Sequence, residues 1–213
     1  MPADPGGDEA PPHAAPTRRR AGRDERLVEV VEAAESLFGE HGYDRVSMDE
    51  VARIVGVSKP VVYDLVGSKD QLFRLAMTRR TAELAERVTM AVAAAPPDGR
   101  MRAGVVAFFA FVDDHRAVWR RLVAQGAGPA TADMVAARRR QAEIVAELFV
   151  SEVGDLPGIP DPATALATMA NGALEALANW WIDHEEVAME SVVDLSMAFL
   201  DPGIAALGLL GGP

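Results

Sequence analysis

The chain has 213 residues, 49% of them hydrophobic, and a formal net charge of -11. That length suits one large or two small domains with a real core, and the absence of cysteine excludes disulfides, thiolate metal sites and cysteine nucleophiles. The start is acidic and Pro-rich with no signal-peptide h-region, and the longest apolar run, from about Gly104 to Val112, is too short for a bilayer. A cytoplasmic protein with no membrane partner is expected. The charge is unevenly spread: residues 81–213 carry 9 Arg and 18 Asp or Glu, whereas residues 16–80 carry 12 Lys or Arg against 11 acids. The N-terminal part is therefore free to approach phosphate.

Residues 1 to about 16, rich in Pro, Gly and Ala, have no periodicity and read as disordered. The basic run Arg18, Arg19, Arg20, Arg23 and Arg26 follows, so residues 1–20 form a disordered basic arm that is either a solvated tail or a DNA contact. From Asp24 the pattern is helical. Leu27, Val30, Val31, Ala34, Leu37 and Phe38 recur at three and four residues until Gly42 breaks the face. Short helices at about 48–55 and 59–66 precede a longer one from Lys69 to about Ala94, closed by Pro96, Pro97 and Gly99. Beyond them the pattern predicts an apolar helix over 101–115, a shorter one at about 117–125, one at 131–153, a Pro/Gly linker at 155–160, helices at 162–184 and 187–200, and an apolar Gly-rich tail. The fold class is all-α with about nine helices, divided into a helix-turn-helix domain over 21–70 and a ligand-binding and dimerisation domain over 71–213.

The informative segment is Ser47 to Lys69. A helix-turn-helix crosses two short helices steeply over a tight turn, which needs a small residue at the crossing and Gly at the turn. Ala52 and Gly56 supply them. Val51, Val55, Val57, Val62 and Leu65 fall inward, and Arg53, Lys59, Tyr63 and Asp64 fall outward. Ser47 with Glu50 makes a capping box, Ser58 caps the next helix, Pro60 sits in its first turn, and Ser68 with Gln71 opens a third. Three helix N-termini within about twenty residues make a phosphate-binding geometry if they face one way. Each feature also occurs in helical hairpins that merely pack; their joint spacing favours DNA.

Over Ala33 to Phe73 the sequence resembles the DNA-binding domain of the TetR family of repressors, a resemblance specific over about fifty residues and absent as a readable motif afterwards. It implies an Ω-shaped homodimer on palindromic double-stranded operator DNA, released when a small-molecule ligand binds. By position, Ser47, Tyr63 and Lys69 match family sites that touch phosphate. Ser58, Lys59, Pro60 and Val61 match the start of the recognition helix; Pro60 and Val61 suit thymine methyls and Lys59 suits guanine or phosphate. Arg18, Arg19 and Arg20 are added from the arm. Where the family often shows an aromatic or basic residue, then His and Phe, this chain has Asp64, Leu65 and Val66. The usual phosphate contact of the His is lost, and Asp64 beside a phosphate would repel it.

In the C-terminal part, Phe108, Phe109, Val112, Trp119 and Leu174 are candidates for the apolar wall of a ligand pocket, with core packing the stronger reading of the aromatics. His115, Gln141 and Asn171, with Asn179 as a further possibility, are the polar groups set among them. The helix at about 162–184 is apolar round most of its circumference and that at about 187–200 has an apolar stripe, which suits a four-helix bundle across a two-fold axis. Leu177, Trp181, Val192, Leu195 and Phe199 are its expected interface. Asp113-Asp114-His115 and His184-Glu185-Glu186 lack metal-ligand spacing, and no nucleotide loop or G-x-S-x-G occurs. No enzyme, metal or cofactor is expected. The function expected is a ligand-responsive repressor. The alternatives are a helical carrier or enzyme whose N-terminal hairpin only packs, and a DNA-binding activator or orphan regulator without an inducer.

Overall fold

The computed structural model describes residues 16–120, 139, 142, 143, 145, 146 and 158–210, with the side chains of these from residue 22 to residue 203. Among the described residues there are eight α-helices and no strand. They are α1 (Pro16–His41), α2 (Met48–Val55), α3 (Lys59–Val66), α4 (Lys69–Ala94), α5 (Arg100–Asp114), α6 (Arg116–Val118), α7 (Pro162–Trp181) and α8 (Met189–Leu210), with a 3-10 turn at Pro97–Gly99 before α5. Residues 139, 142, 143, 145 and 146, inside the helix expected over 131–153, are helical too.

Two boundaries differ from expectation. Helix α1 begins at Pro16 rather than Asp24, so Arg18, Arg19 and Arg20 are helical residues and not part of a disordered arm. A proline at the first helical position is pre-set for the helix, and Arg and Ala propagate it well. Helix α8 runs through Pro202 to Leu210 where a Gly-rich tail was expected. A single proline removes one backbone bond, and the Ile-Ala-Ala-Leu run behind it restores helix-forming residues.

Among the described residues two large hydrophobic cores follow one another along the chain, beside a small one of Ala142, Ala146, Ala163 and Ala167. The first joins α1 to α4: Val30, Val31, Ala34, Leu37 and Phe38 meet Val51, Ala52, Val62, Val66, Leu72, Phe73 and Ala76. Phe38 and Phe73 meet edge to face at 5.2 Å, and Tyr43 packs on both rings. The second core gathers Leu84, Val105, Phe108, Phe109, Phe111, Val112, Trp119, Ala170, Ala178, Trp181, Ile182, Val192, Val193 and Leu200. Helix α4 belongs to both, since its first two turns lie in the N-terminal core and Leu84 lies in the other. A domain boundary at residue 70 therefore falls at the start of a helix that is continuous between the cores.

The cores also meet directly. Val118 of α6 packs on the first core, and it does so against Gly39 of α1, where an added Cβ would lie 2.6 Å from Val118 Cγ2. Beside this contact runs a chain of charge. Glu35 of α1 is only 2% exposed and receives Arg80 Nη2 of α4 at 2.9 Å. Arg80 Nη1 reaches Glu83 at 2.7 Å and His115 Nε2 at 2.6 Å. Arg87 then ties Glu83 to Asp114 of α5, at 2.8 and 2.6 Å. Burial pushes the Glu35 carboxyl above its usual range, while Arg80 and then Arg79 draw it back.

A buried carboxylate that loses its cation is costly. Arg80→Ala should lower folding stability by about 3–5 kcal/mol at neutral pH. Without Arg80 the folded-state pKa of Glu35 stands higher still above its unfolded value. Folded protein then binds more protons than unfolded protein between those values, so the variant's deficit should shrink as pH falls through that window. Urea unfolding across pH checks both statements; a deficit constant with pH would refute the assignment to Glu35.

Candidate nucleic-acid interface

The geometry of residues 47–71 follows from its caps. Ser47 is extended before α2, and its Oγ accepts from Glu50 N–H at 3.2 Å. Gly56 ends α2 in the left-handed region at φ 74°, which lets Val57 N–H reach back to Ala52 O at 3.0 Å and turns the chain sharply into α3. Ser68 Oγ accepts from Gln71 N–H at 3.1 Å and opens α4. Ser58 occupies the N-cap position of α3, but its hydroxyl makes no capping bond, contrary to expectation. The first turn of α3 already has Pro60, whose missing N–H leaves one fewer donor to satisfy.

The inward and outward faces fall as the pattern requires. Val51, Ala52 and Val62 are buried, and Val55, Val57 and Leu65 pack half-buried on the same core. Ser47, Arg53, Ser58, Lys59, Pro60, Tyr63 and Asp64 are exposed, and Val61 is half-buried. Helix α3 thus lies on the surface with its polar side outward, held from behind by α1, α2 and α4.

Three cations of this surface already have partners. Lys59 Nζ contacts Asp49 Oδ2 of α2 at 2.6 Å, an interaction that raises the lysine's pKa. Lys69 Nζ lies 4.4 Å above the Tyr43 ring and donates to Asp44 O at 3.2 Å. The Tyr43 hydroxyl donates to Asp70, and burial together with that carboxylate pushes the phenol up to about 12. Arg23 of α1 meets Asp64 at the far end of α3. Asp49 was not among the expected site residues, and Arg23 was named only as part of the basic run. Their links span 10 and 41 positions with no shared periodicity, so only the folded chain brings them together. The side chains of Arg18, Arg19 and Arg20 lie outside the described residues.

The candidate ligand residues divide. Phe108, Phe109, Val112 and Trp119 are buried in the second core with Leu174 packed against them, and the rings meet edge to face, Phe108 with Phe109 at 5.2 Å and with Trp119 at 5.6 Å. That is core packing. His115 was expected to orient a ligand, but both ring nitrogens are committed: Nδ1 to Phe111 O at 2.8 Å, Nε2 to Arg80. A guanidinium only donates, so Nε2 is the acceptor and the proton sits on Nδ1. Asn179 accepts from Trp119 Nε1–H at 2.8 Å. Among the described residues Asn171 Nδ2 is a buried donor of this region without a hydrogen-bond partner, as are Arg116 Nη1 and Arg120 Nε. Gln141 lies outside the described residues.

The expected dimer residues divide as well. Trp181 and Val192 are each 1% exposed inside the protomer's own core, and Trp181 donates to Val187 O at 2.8 Å while Arg116 stacks on its ring. Leu177 is half-buried against that core. Leu195 and Phe199 stand out from α8 at 56% and 66% exposure, and on α7 the exposed apolar residues are Met169 and Trp180, one position from the predicted Trp181. A helix apolar on nearly every side gives no phase from which to tell its inner face from its outer one.

Residues 30–76 match the family model for bacterial regulatory proteins of the tetR family, and residues 97–200 match a tetracyclin repressor-like C-terminal domain. The HTH-type transcriptional activator FasR of Mycolicibacterium smegmatis is 30% identical over 197 residues, covering 89% of this chain and 88% of that protein. A tetR-family transcriptional regulator from Streptomyces coelicolor superposes with a TM-score of 0.66 at 22% identity, covering 89% of this chain and 90% of the other. A TetR-like transcriptional regulator from Rhodococcus sp. RHA1 does so with a TM-score of 0.61 at 27% identity, covering 88% and 97%.

Proposed function

The chain belongs to the tetR family of bacterial regulatory proteins, and from that premise we propose that it grips a palindromic operator as a homodimer and changes its hold when a mostly apolar small molecule enters the C-terminal domain. The observation that carries the DNA-binding part is the capped crossing of α2 and α3. It leaves Ser58, Lys59, Pro60 and Tyr63 exposed along one short helix braced from behind by a closed core. Lys59 and Lys69 act as point charges for phosphate, and Pro60 with Val61 supplies the apolar contact that distinguishes thymine. Asn171, with its unused buried N–H, is the polar anchor for the ligand.

Selecting duplexes from a random pool with the full chain tests this function. A palindrome should emerge, and Lys69→Ala should weaken its binding and lower the salt slope by about one unit. An unchanged slope would remove Lys69 from the phosphate contacts.

Assembly supports the same reading. One recognition helix reads too few base pairs to select a genomic site, and two related by a dyad read two half-sites. Met169, Trp180, Leu195 and Phe199 form the exposed apolar surface of α7 and α8 on which a second protomer would seat. Leu195→Glu with Phe199→Glu should shift the protein from dimer to monomer in light scattering and depress operator binding at least tenfold without touching a DNA residue. A wild-type monomer at micromolar concentration that binds the palindrome tightly would refute this architecture.

Repression is the direction first expected. Activation is the second reading, favoured by the 30% identity with a protein described as a transcriptional activator. Transcription in vitro from a promoter carrying the selected site separates them, since added protein raises transcript yield in one case and lowers it in the other.

A further inference from the structure

The end of α3 poses a problem for a helix that reads DNA. Asp64, next to Tyr63, is 73% exposed. It stands in the last turn, where unpaired carbonyls already gather partial negative charge. A carboxylate and a helix C-terminus facing a phosphodiester would both repel it.

The structure sets an arginine there. Arg23, from the first half of α1, donates through Nη1 to Asp64 Oδ2 at 3.1 Å and through Nη2 to the Asp64 main-chain oxygen at 2.9 Å. One planar guanidinium therefore covers the carboxylate and a terminal carbonyl together, which a lysine ammonium has no fork to do. Both side chains are more than half exposed, so the pair adds little to folding stability. Its consequence lies in the charge of the surface. Arg19, Arg20 and Arg26 occupy positions three or four residues from Arg23 along the same helix, so the basic run continues from this point.

We propose that Arg23 is a positioning residue of the DNA interface, neutralising Asp64 and the carbonyl end of the recognition helix so that this end can lie against a DNA phosphate. Where the sequence departs from its family at Asp64, the compensation comes from Arg23 of α1. This inference rests on the DNA-binding reading above.

A double-mutant cycle on the full chain tests it, using a duplex selected by the wild-type protein and fluorescence anisotropy at fixed salt. Arg23→Ala should weaken binding by about tenfold or more, because Asp64 is uncovered beside the phosphate. Asp64→Ala alone should change affinity by less than about threefold, and adding it to Arg23→Ala should recover most of the loss. An equal loss from Arg23→Ala with and without Asp64 would overturn the proposal and leave Arg23 an ordinary phosphate ligand. So would a melting temperature of Arg23→Ala lowered by more than about 5 °C, which would assign the loss to unfolding. A wild-type chain that selects no duplex would instead overturn the DNA-binding reading itself.

Discussion

The carboxylate of Glu35 is buried at the point where the two halves of the molecule meet, and it is held there by Arg80. Apolar contacts tolerate sliding, whereas a buried ion pair accepts only the geometry that keeps its hydrogen bonds. The pair ties α4 to α1, and α4 is the helix both cores share. The same guanidinium reaches Glu83 and His115, so the face of α4 that braces the N-terminal core is also bonded to the end of α5. Gly39 lets α6 press on α1 beside it. On the proposed function, a shift of α5 or α6 would be felt at the recognition helices through these contacts. His115, expected at a ligand, stands at the junction instead.

At the other end of the molecule the electrostatic problem is inverted. A protein of net charge -11 must present a surface that accepts a polyanion. On the proposed function it would do so with cations already held within the protein: Lys59 by Asp49, Lys69 by Asp44 and the Tyr43 ring, Arg23 by Asp64. These exposed pairs contribute little to the fold, but they limit the rotamers of long side chains and keep like charges apart. Exchanging a carboxylate for a phosphate partner is then a local step, and a salt-dependent one.

The C-terminal domain separates two kinds of apolar surface. Phe108, Phe109, Trp119 and Trp181 interlock edge to face inside one protomer. Met169 and Trp180 on α7, and Leu195 and Phe199 on α8, remain outside that core. The first set keeps the domain together, and the second needs a partner to leave water. On α7, Asn171 has a buried amide donor with no acceptor, an arrangement that carries a cost until a partner fills it.

Much of this was legible in the residues themselves. The all-helical class, the helix-turn-helix and its inward valines rest on local rules: a 3.6-residue period, serine caps and a glycine for the left-handed turn. Interactions between neighbours in sequence decide those features, so sequence alone determines them. Element ends were less legible, because Pro16 and Pro202 are each compatible with helix or break until the surroundings choose. The site was legible only in part. Lys59 and Tyr63 are outward on a short helix by periodicity, but Arg23 meets Asp64 across 41 residues, and Arg80 meets His115 across 35. Which of Trp180 and Trp181 faces outward on α7 was likewise left to packing, since both neighbours are apolar and the helix is greasy nearly all round. Pairing of charges and phasing of an apolar helix depend on what lies opposite. Only the tertiary structure supplies that, because the partners are brought together by the fold and by nothing in their spacing.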